Sequence, residues 1–137
     1  MGTNAVIFDT ESRQALNFGR FGLVDQFAGL WWMLDHRVQL HLLESVAGDV
    51  VMAHIGPLVE AEWVRTQAVL DRDPKQADNP WVVGRLQDLT DLADFIAARP
   101  DGRFFILPDY LTDCVGGGAQ YKVDGTEIWY DNAREDD

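Results

Sequence analysis

The apolar positions along the chain switch between a period of two and a period near 3.6, and the switches predict its elements. Val6-Ile7-Phe8 and Ala15-Leu16-Asn17-Phe18 flank the polar stretch Asp9 to Gln14, which predicts a β-hairpin. Gly19 and Gly22 mark a break. Leu23, Phe27, Leu30 and Leu34 then share one helical face, widened by Val24 and Trp31, so Leu23 to Asp35 is expected to be a helix. Trp32 projects from the opposite side of that helix.

From Arg37 to Val46 the alternation of Val38, Leu40 and Leu42 with Gln39 and His41 reads as a strand; the alternative extends the preceding helix to Ser45. Ala47-Gly48-Asp49 reads as a turn, and the β-branched run Val50 to Ile55 as the returning strand. Gly56-Pro57 is expected to start the next helix, because proline is pre-organised for the first helical position. Glu60 and Glu62 would then lie in its first turns, with Val59, Trp63 and Leu70 on its apolar face. Asp71 to Asp78 is a polar loop. Asn79 caps the best-patterned helix, in which Val82, Leu86, Leu89, Ala93 and Ile96 form one stripe ending at Arg99.

Arg103 to Leu107 reads as a buried strand stopped by Pro108, and Tyr110 to Gly118 as a loop. Asp124-Gly125 is a favoured type I′ turn, so Tyr121-Lys122-Val123 and Thr126-Glu127-Ile128 should pair, with Lys122 opposite Glu127 and with Tyr121, Val123 and Ile128 facing inward. A charged tail follows, at about residues 131–137. Strands at both ends and helices between them predict a single α+β domain over 1–137, with a largely antiparallel sheet built from terminal β-hairpins and about three helices.

Composition fits that picture: 137 residues, 47% hydrophobic and 25% charged, are values of an ordinary globular domain. Charge alters it more. Eleven Lys and Arg against 23 Asp and Glu leave a formal net charge of −12. Such a chain repels nucleic-acid phosphates and anionic membranes, so neither is an expected partner. It favours a basic protein surface, that of a toxin or of a nucleic-acid-binding complex whose channel the chain would enter as a nucleic-acid mimic. Solubility alone is the bland alternative. The single cysteine, Cys114, excludes an internal disulfide. The N-terminus carries no signal-peptide pattern and no apolar run is long enough to span a bilayer, so a cytoplasmic location is expected.

Motifs for chemistry are absent. His36, His41 and His54 lack metal-ligand spacing, so no metal is expected. Asp113 beside Cys114 disfavours a thiolate nucleophile. Gly116-Gly117-Gly118 lacks the Lys-Ser/Thr of a phosphate loop and reads as a connection into the last hairpin. No cofactor and no catalytic residues are expected.

Two surface features remain. At 100° per residue, Asp88, Asp91 and Asp94 fall opposite the apolar stripe of the Asn79–Arg99 helix, with Phe95 on the same side. An aromatic among carboxylates would anchor a basic partner, and Trp32 would be a second anchor. The expected partner-binding residues are therefore Asp88, Asp91, Asp94, Phe95 and Trp32. The bland alternatives are a solvated helix face with Phe95 tucked away, and a helix buried on two sides around Trp32. The profile implies a non-catalytic binding or inhibitory protein, like an immunity protein or a phage-encoded anti-defence inhibitor. A small carboxylate-dependent enzyme on a neutral or cationic substrate, and a structural or assembly subunit, are the alternatives. The sequence does not specify the oligomeric state.

Overall fold

A computed structural model describes residues 5–18, 20–21, 45–108 and 111–134. They form an α+β domain: a mixed seven-stranded sheet with two α-helices against one face. The strands are β1 (Ala5–Asp9), β2 (Gln14–Phe18), β3 (Val46–Ala47), β4 (Arg103–Pro108), β5 (Asp113–Val115), β6 (Gly118–Val123) and β7 (Thr126–Asn132). The helices are α1 (Gly48–Arg72) and α2 (Pro80–Ala97), joined through a 3-10 turn at Pro74–Asp78. The sheet order is β3-β4-β1-β2-β7-β6-β5. The helix expected over Leu23 to Asp35, most of the ambiguous stretch from Arg37, and Trp32 lie outside the described residues.

The first hairpin forms as expected, with Val6 opposite Asn17 and Phe8 opposite Ala15. So does the last, with Lys122 opposite Glu127. Asp124 and Gly125 have φ of 51° and 82°, the two left-handed residues that a type I′ turn requires. The tail expected from about residue 131 is strand at its start. Asp131 and Asn132 belong to β7 and pair with Gln14 and Ala15 of β2 in parallel. This joint between the two hairpins is the one parallel pairing among the described residues, and it makes the sheet mixed.

The central strands β1 and β4 are apolar on both faces because both faces are covered. Ile7, Leu16, Phe18, Phe104 and Ile106 meet the helices through Val51, Ile55, Leu89, Leu92, Phe95 and Ile96. Val6, Phe8, Phe105 and Leu107 point the other way, where Ala119, Tyr121 and Tyr130 of β6 and β7 cover them. Phe105 and Tyr121 stand on strands four places apart, roughly 19 Å in a flat sheet. Their ring centroids are 5.5 Å apart. The sheet therefore curls over itself, and the short parallel joint is where its two halves meet. Tyr121 and Tyr130 share a hydroxyl–hydroxyl hydrogen bond of 3.2 Å inside this second core. Burial and that bond push the Tyr121 pKa above the usual phenol range.

Two expectations are corrected in the middle of the chain. Val50 to Ile55 is helix, not strand, and Pro57 lies inside α1 rather than at its start. Val51, Ile55, Glu62 and Thr66 recur at helical spacing and are buried, so tertiary packing overrides the local β-propensity. Proline is tolerated there because the preceding residue, Gly56, has no Cβ to clash with the pyrrolidine ring, and Pro57 faces solvent. Among the described residues there are two α-helices, where about three were expected. Asn79 caps α2 as predicted, accepting from the Trp81 backbone N–H at 3.0 Å. No helix among the described residues is long and apolar enough to cross a membrane.

Asp9 closes the first hairpin from a buried position. Its carboxylate accepts backbone N–H bonds from Glu11, Ser12 and Arg103 at 3.1, 3.2 and 3.0 Å. Burial alone would raise its pKa; the Ser12 side chain and these three N–H groups outweigh burial and lower it below the ordinary aspartate value. The ionised form thus stabilises the fold above about pH 4, and that contribution fades as pH falls through the depressed pKa. Asp9→Asn is expected to be less stable at pH 7 and to show a shallower loss between pH 4 and 2, measured by urea unfolding across that range.

Candidate functional site

The helix α2 sets the geometry of the expected binding residues, and it is rotated from the position its stripe predicted. Val82, Leu89, Leu92, Phe95 and Ile96 are buried, while Leu86 and Ala93 are only half-buried. Including Leu92 and Phe95 swings the buried face by roughly 50° from the predicted stripe, at 100° per residue. That rotation carries Asp88 and Phe95 into the interior.

Asp88 is fully buried rather than solvated. Its carboxylate accepts from the Arg20 guanidinium at 2.7 Å and from the Arg20 backbone N–H at 3.1 Å. Arg134 donates to the same carboxylate at 2.7 Å and bridges to Asp91 at 2.9 Å. Arg134 also donates to the Asn17 carbonyl. The segment after β2 and the segment after β7 are thus both tied to α2. Phe95 is likewise buried, packed in the core under the Arg99 guanidinium, which lies 3.9 Å from its ring centroid. Only Asp94 of the predicted stripe is exposed; Asp91 is partly covered by Arg134. Asp88 and Phe95 are therefore not presented on the surface of α2 as the predicted patch required, although Phe95 lines a cleft together with Asp91 and Asp94.

Another buried carboxylate went unread in the sequence. Glu62, expected in a first helical turn, lies in the middle of α1 and is paired with Arg85 at 2.8 Å and Arg65 at 2.6 Å. Neither Arg20 nor Arg134 carried a sequence signal, since a lone arginine near a loop or a tail normally faces water.

Between α2 and the β2–β7 joint lies a cleft of about 560 Å³, lined by Arg20, Gln87, Asp91, Asp94, Arg99 and Arg134 among others. Its arginines are tied down: Arg20 and Arg134 on Asp88, Arg99 on Ser12, Gln14 and the Phe95 carbonyl. No hydroxyl, thiol or imidazole stands among its described lining residues. A smaller cleft of about 250 Å³ holds Asn17, Cys114 and the Gly116–Gly118 turn, with the Asn17 amide donating to the Cys114 sulfur at 3.7 Å. Among the described residues, no group of three or more His, Cys, Asp or Glu could hold a metal ion.

The described surface is mostly acidic. The described ion pairs engage Arg20, Arg65, Arg85, Arg99 and Arg134 with only four carboxylates, those of Asp9, Glu62, Asp88 and Asp91. Exposed carboxylates, such as Asp49, Glu60, Asp71, Asp73, Asp78, Asp94 and Asp131, outnumber exposed cations two to one among the described residues. In comparisons with known proteins, no family model, no curated protein and no solved structure matches the chain.

Removing the Asp88 charge leaves two guanidiniums without their buried counter-ion. Asp88→Ala is expected to cost about 3–5 kcal/mol, the usual range for breaking a buried pair. Asp94→Ala, on the exposed side of the same helix, should stay within about 0.5 kcal/mol of the parent. Urea unfolding of both variants checks this; equal losses would show that Asp88 has no special structural weight.

Proposed function

We propose that the chain is a non-catalytic acidic protein that occupies a basic surface on a protein partner, as an immunity protein or a phage-encoded inhibitor of a nucleic-acid-binding complex would. One observation carries this reading: arginines are drawn inward to a few buried carboxylates, and the excess negative charge of a −12 chain is left at the surface. Internal pairing of that kind stabilises the fold without neutralising the exterior. The resulting field attracts a cationic partner over about a Debye length, near 10 Å at 0.1 M salt. It accelerates encounter and orients the two surfaces before short-range contacts form. A polyanion such as DNA or RNA is repelled by the same field.

The test is the salt dependence of association with a partner purified from the native host. The association rate is expected to fall at least tenfold between 50 and 500 mM salt, with a much smaller change in dissociation rate. The triple variant Asp71→Asn, Asp73→Asn, Asp78→Asn should slow association at low salt while keeping its urea midpoint. An association rate indifferent to salt would overturn the reading.

A further inference from the structure

The strand registers place a distinct set of residues on the outer face of β5–β6–β7, opposite the Tyr121–Tyr130 core. Ala119, Tyr121 and Tyr130 point inward. Alternation then turns Gly118, Gln120 and Lys122 of β6 outward, together with Glu127, Trp129 and Asp131 of β7. On β5, Asp113 stands beside Gln120 and Val115 beside Gly118. Trp129 is 38% exposed and Val115 52% exposed.

Trp129 is held in place. A Cβ on Gly118 would overlap its indole ring, so the ring lies over the bare backbone of β6. Its N–H donates to the Asp131 carboxylate at 2.9 Å. Asp113 and Glu127 stand with Asp131 as an acidic rim on this face, beside Lys122. The last glycine of the Gly116–Gly118 run is thereby accounted for: it seats an aromatic plate.

We infer that this face is where the partner docks, and that the partner presents an arginine-bearing polypeptide segment whose guanidinium stacks on Trp129 and donates to Asp131. The inference rests on the acidic-binding reading above and names its surface. A pinned, half-exposed indole loses little freedom on binding, which is what an energetic anchor requires. Arginine fits better than lysine. Its planar guanidinium covers a ring face and reaches a carboxylate at the ring's edge, whereas an ammonium is a strongly hydrated point charge. The rim of Asp113, Glu127 and Asp131 supplies the charge complement and disfavours a phosphate-bearing occupant.

The experiment titrates the ¹⁵N-labelled full chain with N-acetyl-Gly-Arg-Gly-amide and, separately, with its lysine counterpart. The Trp129 indole N–H, assigned by its loss in Trp129→Phe, and the Gly118 amide are expected to shift. Half-saturation should come at an arginine-peptide concentration at least threefold below that for lysine. Trp129→Ala should abolish the shift at Gly118, Asp131→Asn should weaken binding at least threefold, and Asp94→Asn should leave it unchanged. Trp129→Phe, which keeps an aromatic plate, should retain part of the affinity and guards against a folding artefact. Shifts scattered over carboxylates elsewhere, with Gly118 unmoved, would overturn the face. So would a native partner whose association is salt-steered but indifferent to Trp129→Ala, and that result would leave the acidic-binding reading standing. Salt-independent association would overturn both.

Discussion

A single buried carboxylate organises the described chain. Asp88 is fully sequestered and meets two guanidiniums, one from just after β2 and one from just beyond β7. These contacts are 68 and 46 residues distant in sequence. Burying an unpaired carboxylate would cost several kcal/mol, so the helix face that carries Asp88 is compatible only with an arrangement that brings both arginines to it. The ion cluster therefore does what an apolar contact at the same place would not: it selects partners by charge as well as by fit. Glu62 repeats the device between the two helices, with Arg85 as its closest long-range partner. In each case the carboxylate is sealed, and the arginine covering is greatest for Arg134, 7% exposed, which a weakly hydrated guanidinium tolerates.

The sheet geometry and the ion cluster depend on each other. The two hairpins meet through a parallel pairing of only two residue pairs, which by itself is a weak seam. Arg134 reinforces it from one side, since the segment that follows β7 is drawn onto α2. The aromatic core reinforces it from the other, where Phe8 stacks on Phe105 at 5.0 Å and meets Tyr130 edge-on at 4.8 Å. The curl that closes this second core is what turns Trp129 outward on the opposite face of the same strands.

What was legible in the sequence divides along physical lines. Both hairpins, the Arg103–Leu107 strand and the capped helix α2 were readable because their signals are local: alternation, an Asp-Gly turn, an Asn-Pro cap. Helix α1 was misread because Val50, Val51 and Ile55 favour strand intrinsically, and only the burial of Val51 and Ile55 against the sheet reveals the helical spacing. The parallel joint was invisible because nothing in a strand's own sequence names its neighbour 117 residues away. The α2 stripe failed for a subtler reason. Hydrophobic periodicity scores aspartate as exposed, so a helix that buries one beside arginines is assigned a face rotated away from the true one. An aspartate standing among apolar positions on a projected helix is consequently ambiguous until the arginines are placed.

The same misreading explains why the general expectation and its location separate. The expectation of a basic partner came from surplus charge, which is a property of the whole chain. Its assignment to α2 came from a projection that could not distinguish a solvated aspartate from a neutralised one. On the outer sheet face that ambiguity is absent, because strand alternation has only two outcomes and the registers decide between them. Trp129, Asp131 and Asp113 are outward by the same register that turns Tyr130 and Ala119 in. A side chain whose direction is dictated by a closed core on the other face keeps that direction when a partner arrives. The direction of Trp129 and Asp131 is thus set by folding, and in the proposed docking the partner has only to supply the cation.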